Sequence, residues 1–226
     1  MLEVVDWGLL DYAEALQRQE NWVAEIVDGR RSETLVVVRH PEVVTLGRRA
    51  DADEWQAWKG PVAEVSRGGR ATYHGPGQIV LYPLIRLDRR GRNVHGFLRA
   101  LEDATVETLK GWSVEARSSP VEMKIEGIEP TGVWVGKQKI ASLGIAIRRW
   151  VTFHGIALNA DRQGSSSSLI WACGYRPGTM TSVEEMIGPD EYTRRGSREA
   201  LTQDLLRNVL SRLEHLSATQ REARET

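Results

Sequence analysis

The chain has 226 residues, 41% of them hydrophobic and 27% charged, with a net charge of −1. That composition suits a soluble globular protein with a real core, and the near-zero net charge gives no electrostatic pull toward nucleic acid or membrane surfaces. No apolar run approaches the ~18 residues of a membrane span, the first residues lack the basic-then-apolar pattern of a secretory signal, and the single Cys173 rules out an internal disulfide or a cysteine-cluster metal site. A reducing cytoplasm is the expected compartment.

In chain order, residues 11–28 read as a helix, with Asp11 and Glu14 at capping-box spacing and Tyr12, Leu16, Val23, Ile26 and Val27 on one face. Apolar runs predict buried strands at residues 35–38 and 43–46, a third short strand at 62–66 and a longer one at 79–85. Residues 94–109 suit a helix capped by Asn93. From Gly132 onward the pattern turns to β, with consecutive antiparallel strands at 133–135, 140–147 and 150–158, the first two joined by a Gly136-Lys137 turn. Leu201, Leu205, Val209 and Leu213 recur at about one helical turn, giving an amphipathic helix over 197–216 and leaving 217–226 as a polar tail that frays. With no repeat and no linker, the expected fold is one α+β domain over residues 1–216, its sheet mixed or largely antiparallel with helices against it.

Between the predicted strands lies Arg67-Gly68-Gly69-Arg70-Ala71-Thr72-Tyr73-His74-Gly75-Pro76-Gly77-Gln78, twelve residues with four glycines, two arginines and a histidine. Glycine at this density marks sharp turns or close approach to something else. The segment lacks the Gly-Lys-Ser/Thr ending of a phosphate loop and leads into a strand rather than a helix, so neither nucleotide fingerprint applies. Three readings stay open: an anion clamp built on Arg67, Arg70 and backbone donors; the wall of an apolar slot; or a plain strand-to-strand crossover.

Five residues are candidates for chemistry. Cys173 is either a small core residue or a nucleophile; the flanking Gly174 and the Pro177-Gly178 turn place it at a loop, and a neighbouring cation would favour its thiolate. Lys137 and Lys139 face the same side by strand alternation, so spacing does not choose between them. His74 and His154 each precede a glycine, and for each a structural role competes with that of a base. No metal-ligand spacing is present, and no metal or cofactor is expected.

These segments, in this order, resemble the lipoyl(octanoyl) transferases of lipoate biosynthesis over most of the chain. The resemblance rests on His40-Pro41-Glu42-Val43-Val44-Thr45-Leu46-Gly47, the glycine segment itself, Lys139-Ile140-Ala141-Ser142-Leu143-Gly144, Thr152-Phe153-His154-Gly155-Ile156-Ala157-Leu158-Asn159, and Cys173-Gly174 followed by Thr181-Ser182-Val183. It implies the fold of lipoate-protein and biotin protein ligases. It implies transfer of an octanoyl group from acyl carrier protein to a lysine on the lipoyl domains of 2-oxoacid dehydrogenase E2 subunits or of the glycine cleavage H protein. It also implies Cys173 as nucleophile and Lys139, rather than Lys137, as its partner. Arg67, Gly68, Gly69, Arg70, Ala71, Thr72, Tyr73, His74, Ser142, Leu143, Gly144, Gly155, Ile156 and Ala157 would line the acyl site.

A thioester donor and an amine acceptor need no ATP. On this reading, backbone N–H groups near Cys173 or at Gly75–Gly77 stabilise the oxyanion, and His74 helps hold the acyl carbonyl. An ATP-dependent ligase of the same fold and a non-catalytic acyl-carrier-binding module are the competing functions. Tyr175 departs from the aliphatic residue many members carry after the Cys-Gly pair. The basic stretch 89–93 receives no role from the resemblance.

Overall fold

The computed structural model describes residues 2–128 and 130–225; Met1, Glu129 and Thr226 lie outside them, Thr226 taking with it the last residue of the predicted tail. The elements run β1 (Glu3–Leu9), α1 (Tyr12–Val27), β2 (Thr34–Arg39), β3 (Val43–Leu46), β4 (Val62–Glu64), β5 (Ala71–His74), β6 (Gln78–Leu84), α2 (Val94–Gly111), β7 (Arg117–Ser118), β8 (Gly132–Val135), β9 (Gln138–Arg148), β10 (Val151–Asn159), α3 (Val183–Ile187), α4 (Pro189–Arg194) and α5 (Ser197–Glu225). A seven-stranded sheet has the order β1-β2-β6-β10-β9-β8-β7, and a three-stranded sheet the order β4-β3-β5. Among the described strands, β1 with β2 and β3 with β4 pair in parallel and the other ladders are antiparallel; the architecture is α+β with mixed, largely antiparallel sheets.

The central strands β2, β6 and β10 of the large sheet are buried on both faces, which is why they read as unbroken apolar runs rather than alternating ones. Leu35, Val37, Ile79, Leu81, Ile156 and Leu158 face α2 and α5, where Leu101, Leu205 and Val209 cover them. Val36, Val38, Val80, Tyr82 and Phe153 face Val23 and Ile26 of α1. Helices α2 and α5 are further tied by Trp112 Nε1 donating to Asp204 Oδ2 (2.9 Å) and Asn208 Nδ2 to Thr108 Oγ1 (2.9 Å). Gly155 leaves no room for a side chain against β6: a Cβ there would overlap the Leu81 carbonyl oxygen and fall 2.7 Å from Pro83 Cδ.

Several local readings shift. Asp11 caps α1 by accepting from Ala13 N (2.8 Å), but Glu14 pairs with Arg18 at 2.5 Å instead of closing a capping box. Strand β1 had no apolar signature because it is a half-exposed edge strand interrupted by Asp6 and Gly8. The last helix is continuous to Glu225 rather than ending near Leu216. The basic stretch after β6 is a brace: Arg90 donates bidentately to Glu33 (2.8 Å each), and Arg92 lies 5.0 Å over the Trp150 ring.

Where the small sheet meets the large one, a polar aromatic cluster is buried. His40 bridges Leu10 O (2.7 Å) and Tyr82 OH (2.8 Å), Tyr12 stacks on His74 at 5.6 Å, and His74 Nδ1 meets Gln78 Oε1 at 3.1 Å. Gln78 Nε2 donates to Asn159 Oδ1 (2.9 Å), and Asn159 Nδ2 to Thr181 O (2.8 Å). His154 adopts a left-handed backbone (φ 58°) inside β10; its N donates to Gln19 Oε1 (2.8 Å) and its Nδ1 lies 3.5 Å from Tyr12 OH.

Burial holds these rings neutral. It pushes His40 down to about 4 and, with the Arg67 charge, His154 down to about 3; His74 lies well below its usual 6.5 through burial and the charges of His40 and Arg67.

Two outcomes follow from this packing. Unfolded histidines protonate below pH ~6.5 while these three stay neutral in the fold, so the unfolded state binds more protons on acidification. Stability is therefore complete above pH ~6.5 and is lost as pH falls through it toward the folded values, by about 1.4 kcal/mol per pH unit for each ring. A urea midpoint that fails to drop between pH 7.5 and 5.5 would contradict this. Gly155→Ala is expected to cost about 1–3 kcal/mol through overpacking against β6, read in the same titration.

Candidate active site

Lys139 owes its position to a β-bulge. In the β8–β9 ladder Val133 pairs with Ala141 and Trp134 with Lys139, leaving Ile140 as the extra residue. A bulge re-aims the strand at that point; without it Lys139 and Ser142, three residues apart, would face opposite sides of the sheet. Lys139 is only 2% exposed, whereas Lys137 sits exposed in the turn. Its Nζ lies 5.5 Å from the Trp134 ring centroid and 5.8 Å from that of Tyr175, a cation between two aromatic faces. Gly132 (φ 134°) leaves room for it: a Cβ there would fall 2.6 Å from Lys139 Cε.

The cysteine segment is stitched to the same residue. Lys139 N donates to Thr179 O (2.7 Å), Thr181 N donates to Lys139 O (3.0 Å), and Met180 bridges to Lys139 in parallel. Upstream, Trp171 N donates to Glu54 O (2.7 Å). Between these anchors Cys173 takes a left-handed conformation (φ 58°), followed by Gly174 (φ 83°), where a Cβ would fall 2.7 Å from Ile128 Cδ1 and 2.9 Å from Arg70 Cδ. The half-buried Cys173 Sγ lies 3.6 Å from Thr72 Oγ1 and 3.6 Å from Ser142 Oγ, one hydroxyl from each sheet. Burial raises the thiol's pKa, but the Lys139 charge, the Ser142 hydrogen bond, the Arg67 charge and the Thr72 hydrogen bond pull it down, and the net direction is down.

The two arginines of the glycine segment turn inward. Arg67, 7% exposed, donates to Thr45 O (3.0 Å), Thr45 Oγ1 (2.7 Å), Gly68 O (3.0 Å) and Arg70 O (3.0 Å). Arg70 pairs through Nε with the buried Glu54, which also accepts from Ala71 N at 2.9 Å. The Arg67 guanidinium is engaged within the protein, and Arg70 is tied to Glu54 through Nε, so Arg67 braces the loop rather than clamping an anion. Among the described residues neither Arg67 nor Lys139 forms a salt bridge with a carboxylate.

Cys173 and Lys139 open onto a slot of ≈ 270 Å³. Of the sequence-predicted residues, Arg67, Gly68, Gly69, Arg70, Thr72, His74, Ser142, Leu143, Gly144, Gly155, Ile156 and Ala157 line it. Ala71 and Tyr73 do not: β5 alternates, so Thr72 and His74 face the slot while Ala71 and Tyr73 pack with Val44 and Trp58 behind it. The turn Gly75–Gly77 also lies away from it, with Gly77 packed near Asp161 and Gln163. Both imidazoles are poor bases at their lowered pKa values, and His74 Nδ1 is already held by Gln78.

Sequence reading missed Tyr12, Val80, Tyr82, Leu98, Ile128 and Thr131 as lining residues. Tyr12, Val80 and Tyr82 read as core positions, and nothing local distinguishes a core wall from a slot wall. Tyr175 packs edge-on against Trp134 (4.8 Å) and donates to Met123 O (2.9 Å), so it backs Lys139 rather than forming the slot's rim.

A family model described as the lipoyl protein ligase A/B catalytic domain matches residues 11–206. Octanoyltransferases are similar along the chain: that of Bdellovibrio bacteriovorus is 41% identical over 192 residues, covering 81% of this chain and 88% of its own. That of Syntrophotalea carbinolica is 41% identical over 187 residues, covering 83% and 85%. Among solved structures, a lipoate protein ligase from T. acidophilum with bound lipoic acid superposes with a TM-score of 0.67 at 16% identity, covering 94% of this chain and 86% of that one. The biotin protein ligase of Aquifex aeolicus gives 0.55 at 13% identity, covering 96% and 72%; at these identities the superpositions speak to the fold. With the family model spanning most of the chain and octanoyltransferases sharing two residues in five along it, the chain belongs to the lipoyl protein ligase A/B catalytic family and is an acyltransferase.

Proposed function

We propose that the chain carries out octanoyl transfer in protein lipoylation by a two-step relay through Cys173. It takes an octanoyl (or lipoyl) group from acyl carrier protein and delivers it to a lysine of lipoyl domains, those of 2-oxoacid dehydrogenase E2 subunits and the glycine cleavage H protein. The observation that carries this reading is the thiol of Cys173, held between two hydroxyls and biased toward thiolate by Lys139, at the wall of a partly apolar slot.

In the first step the Cys173 thiolate attacks the donor's thioester carbon, the bond to the donor sulfur breaks, and Lys139 protonates the departing thiolate. One thioester becomes another, so the step is near thermoneutral. In the second step the acceptor lysine's amine attacks the acyl-enzyme, neutral Lys139 takes its proton, and the C–Sγ bond breaks to leave an amide and the Cys173 thiolate. Amide formation from a thioester is downhill and needs no nucleotide. The acyl chain gains about 0.8 kcal/mol per buried CH₂, several kcal/mol over an octanoyl chain.

Cys173→Ala is expected to abolish transfer, and wild type mixed with octanoyl-loaded carrier protein should gain one octanoyl mass that hydroxylamine removes. An adduct that persists on Cys173→Ala, or transfer that requires ATP and free octanoate, would refute the relay. Lys139→Met is expected to move the pH profile of Cys173 alkylation upward; an unmoved profile would separate the lysine from the thiol.

A further inference from the structure

The relay passes twice through a tetrahedral intermediate whose former carbonyl oxygen carries negative charge, and that charge needs hydrogen-bond donors. The backbone next to the nucleophile offers few. Gly174 N is committed to Trp171 O (2.9 Å) and Tyr175 N to Ala172 O (3.1 Å), both within the turn that carries Cys173. The glycine turn expected to serve does not reach the slot, and Gln78 N is taken by Gly75 O (3.1 Å).

Two side chains do reach it. Thr72 Oγ1 on β5 and Ser142 Oγ on β9 each lie 3.6 Å from Sγ, and the sulfur is the only hydrogen-bond partner recorded for either hydroxyl among the described residues. Both line the slot. They come from two different sheets and meet at the one sulfur.

The geometry points to Thr72 and Ser142 as the oxyanion donors of this enzyme: side-chain hydroxyls that hold the thiolate at rest and turn to the oxyanion when the acyl group arrives. The oxyanion sits on the carbon bonded to Sγ, two bonds from the sulfur. A hydroxyl 3.6 Å from the sulfur is within reach of that oxygen when the C–O bond points to its side, and a rotation of its O–H then aims the proton at it. Thr72 is 6% exposed, so it donates in a site largely shielded from water, where such a bond is strong. When the intermediate collapses and expels either sulfur, the charge leaves the oxygen and the hydroxyls return to Sγ.

This inference rests on the acyl-enzyme reading, and the experiment separates the two. Thr72→Val, Ser142→Ala and the double variant are reacted in parallel with iodoacetamide, which alkylates the thiolate without forming an oxyanion, and with S-octanoyl-N-acetylcysteamine, which acylates it through one. Rates are followed by intact mass across pH. The expected result is an acylation rate lowered on the order of 10²–10³-fold in the double variant, with alkylation at high pH, where the thiol is fully ionised, changed by no more than about threefold. Thr72→Ser should restore most of the acylation rate lost in Thr72→Val.

Equal losses in both reactions at high pH, or unchanged acylation, would overturn the hydroxyl assignment while leaving the relay standing. Absence of any octanoyl adduct on wild type would overturn the relay itself. The urea midpoint of each variant checks folding, since an unfolded chain would expose Cys173 and alkylate freely; a variant with a wild-type midpoint, lost acylation and retained alkylation carries the assignment.

Discussion

The arrangement turns on Arg67. A guanidinium with 7% exposure is costly to bury, and it is stabilised here by three carbonyl oxygens and a hydroxyl rather than by a carboxylate. Those bonds clamp the loop that begins the glycine segment onto β3, which fixes one wall of the slot. Gly47 and Gly69 are part of the same clamp: a Cβ at Gly47 would fall 2.5 Å from Gly69 O and 2.6 Å from the Arg67 guanidinium. Among the described residues no carboxylate pairs with Arg67, and its charge lowers the pKa values of His74, His154 and Cys173 together. One buried cation thus adds to the burial that keeps His74 and His154 neutral and joins Lys139 in lowering the thiol's pKa. A lysine could not replace it, since a single ammonium lacks the planar fork that reaches four acceptors at once.

The fold was legible where burial alone shapes the pattern. Strands β2, β6 and β10 are covered on both faces, so their apolar runs announce them, and the leucines of α5 recur each turn for the same reason. Half-exposed β1 and the short α3 and α4 carry too few buried positions to leave such a trace. The glycine segment was legible as a special place but not as a mechanism. Its arginines find their partners in Thr45 and Glu54, which lie 22 and 16 residues away, and no local rule connects them.

The site itself was hidden by departures from regularity. Alternation placed Lys137 and Lys139 on one face, yet the extra residue Ile140 breaks the count and turns Lys139 to the side of Ser142. Left-handed Cys173 and His154 break it again, the first lifting the thiol into the slot and the second swinging a ring onto Tyr12. Such conformations cost on the order of 1–3 kcal/mol each and persist only where the surroundings over-determine them. At Cys173 the surroundings are the anchors at Glu54 and Lys139; at His154 they are Gln19 and Tyr12.

The same scaffold serves proteins of different chemistry, for the chain superposes on lipoate and biotin ligases at 13–16% identity. A fold carries function only through the groups grafted onto it. Here the graft is a thiol that meets one hydroxyl from each sheet, with a bulged lysine stitched to its own loop. The stitch matters for a two-step relay. The relay proposed above asks Lys139 to give a proton in the first step and take one in the second, and so to keep one place relative to Sγ. The main-chain bonds from Lys139 to Thr179 and Thr181 hold the lysine and the cysteine loop as a unit whichever acyl group or partner occupies the slot. A proton carrier held to the nucleophile by backbone hydrogen bonds keeps its distance through both half-reactions, which a freely placed surface lysine would not.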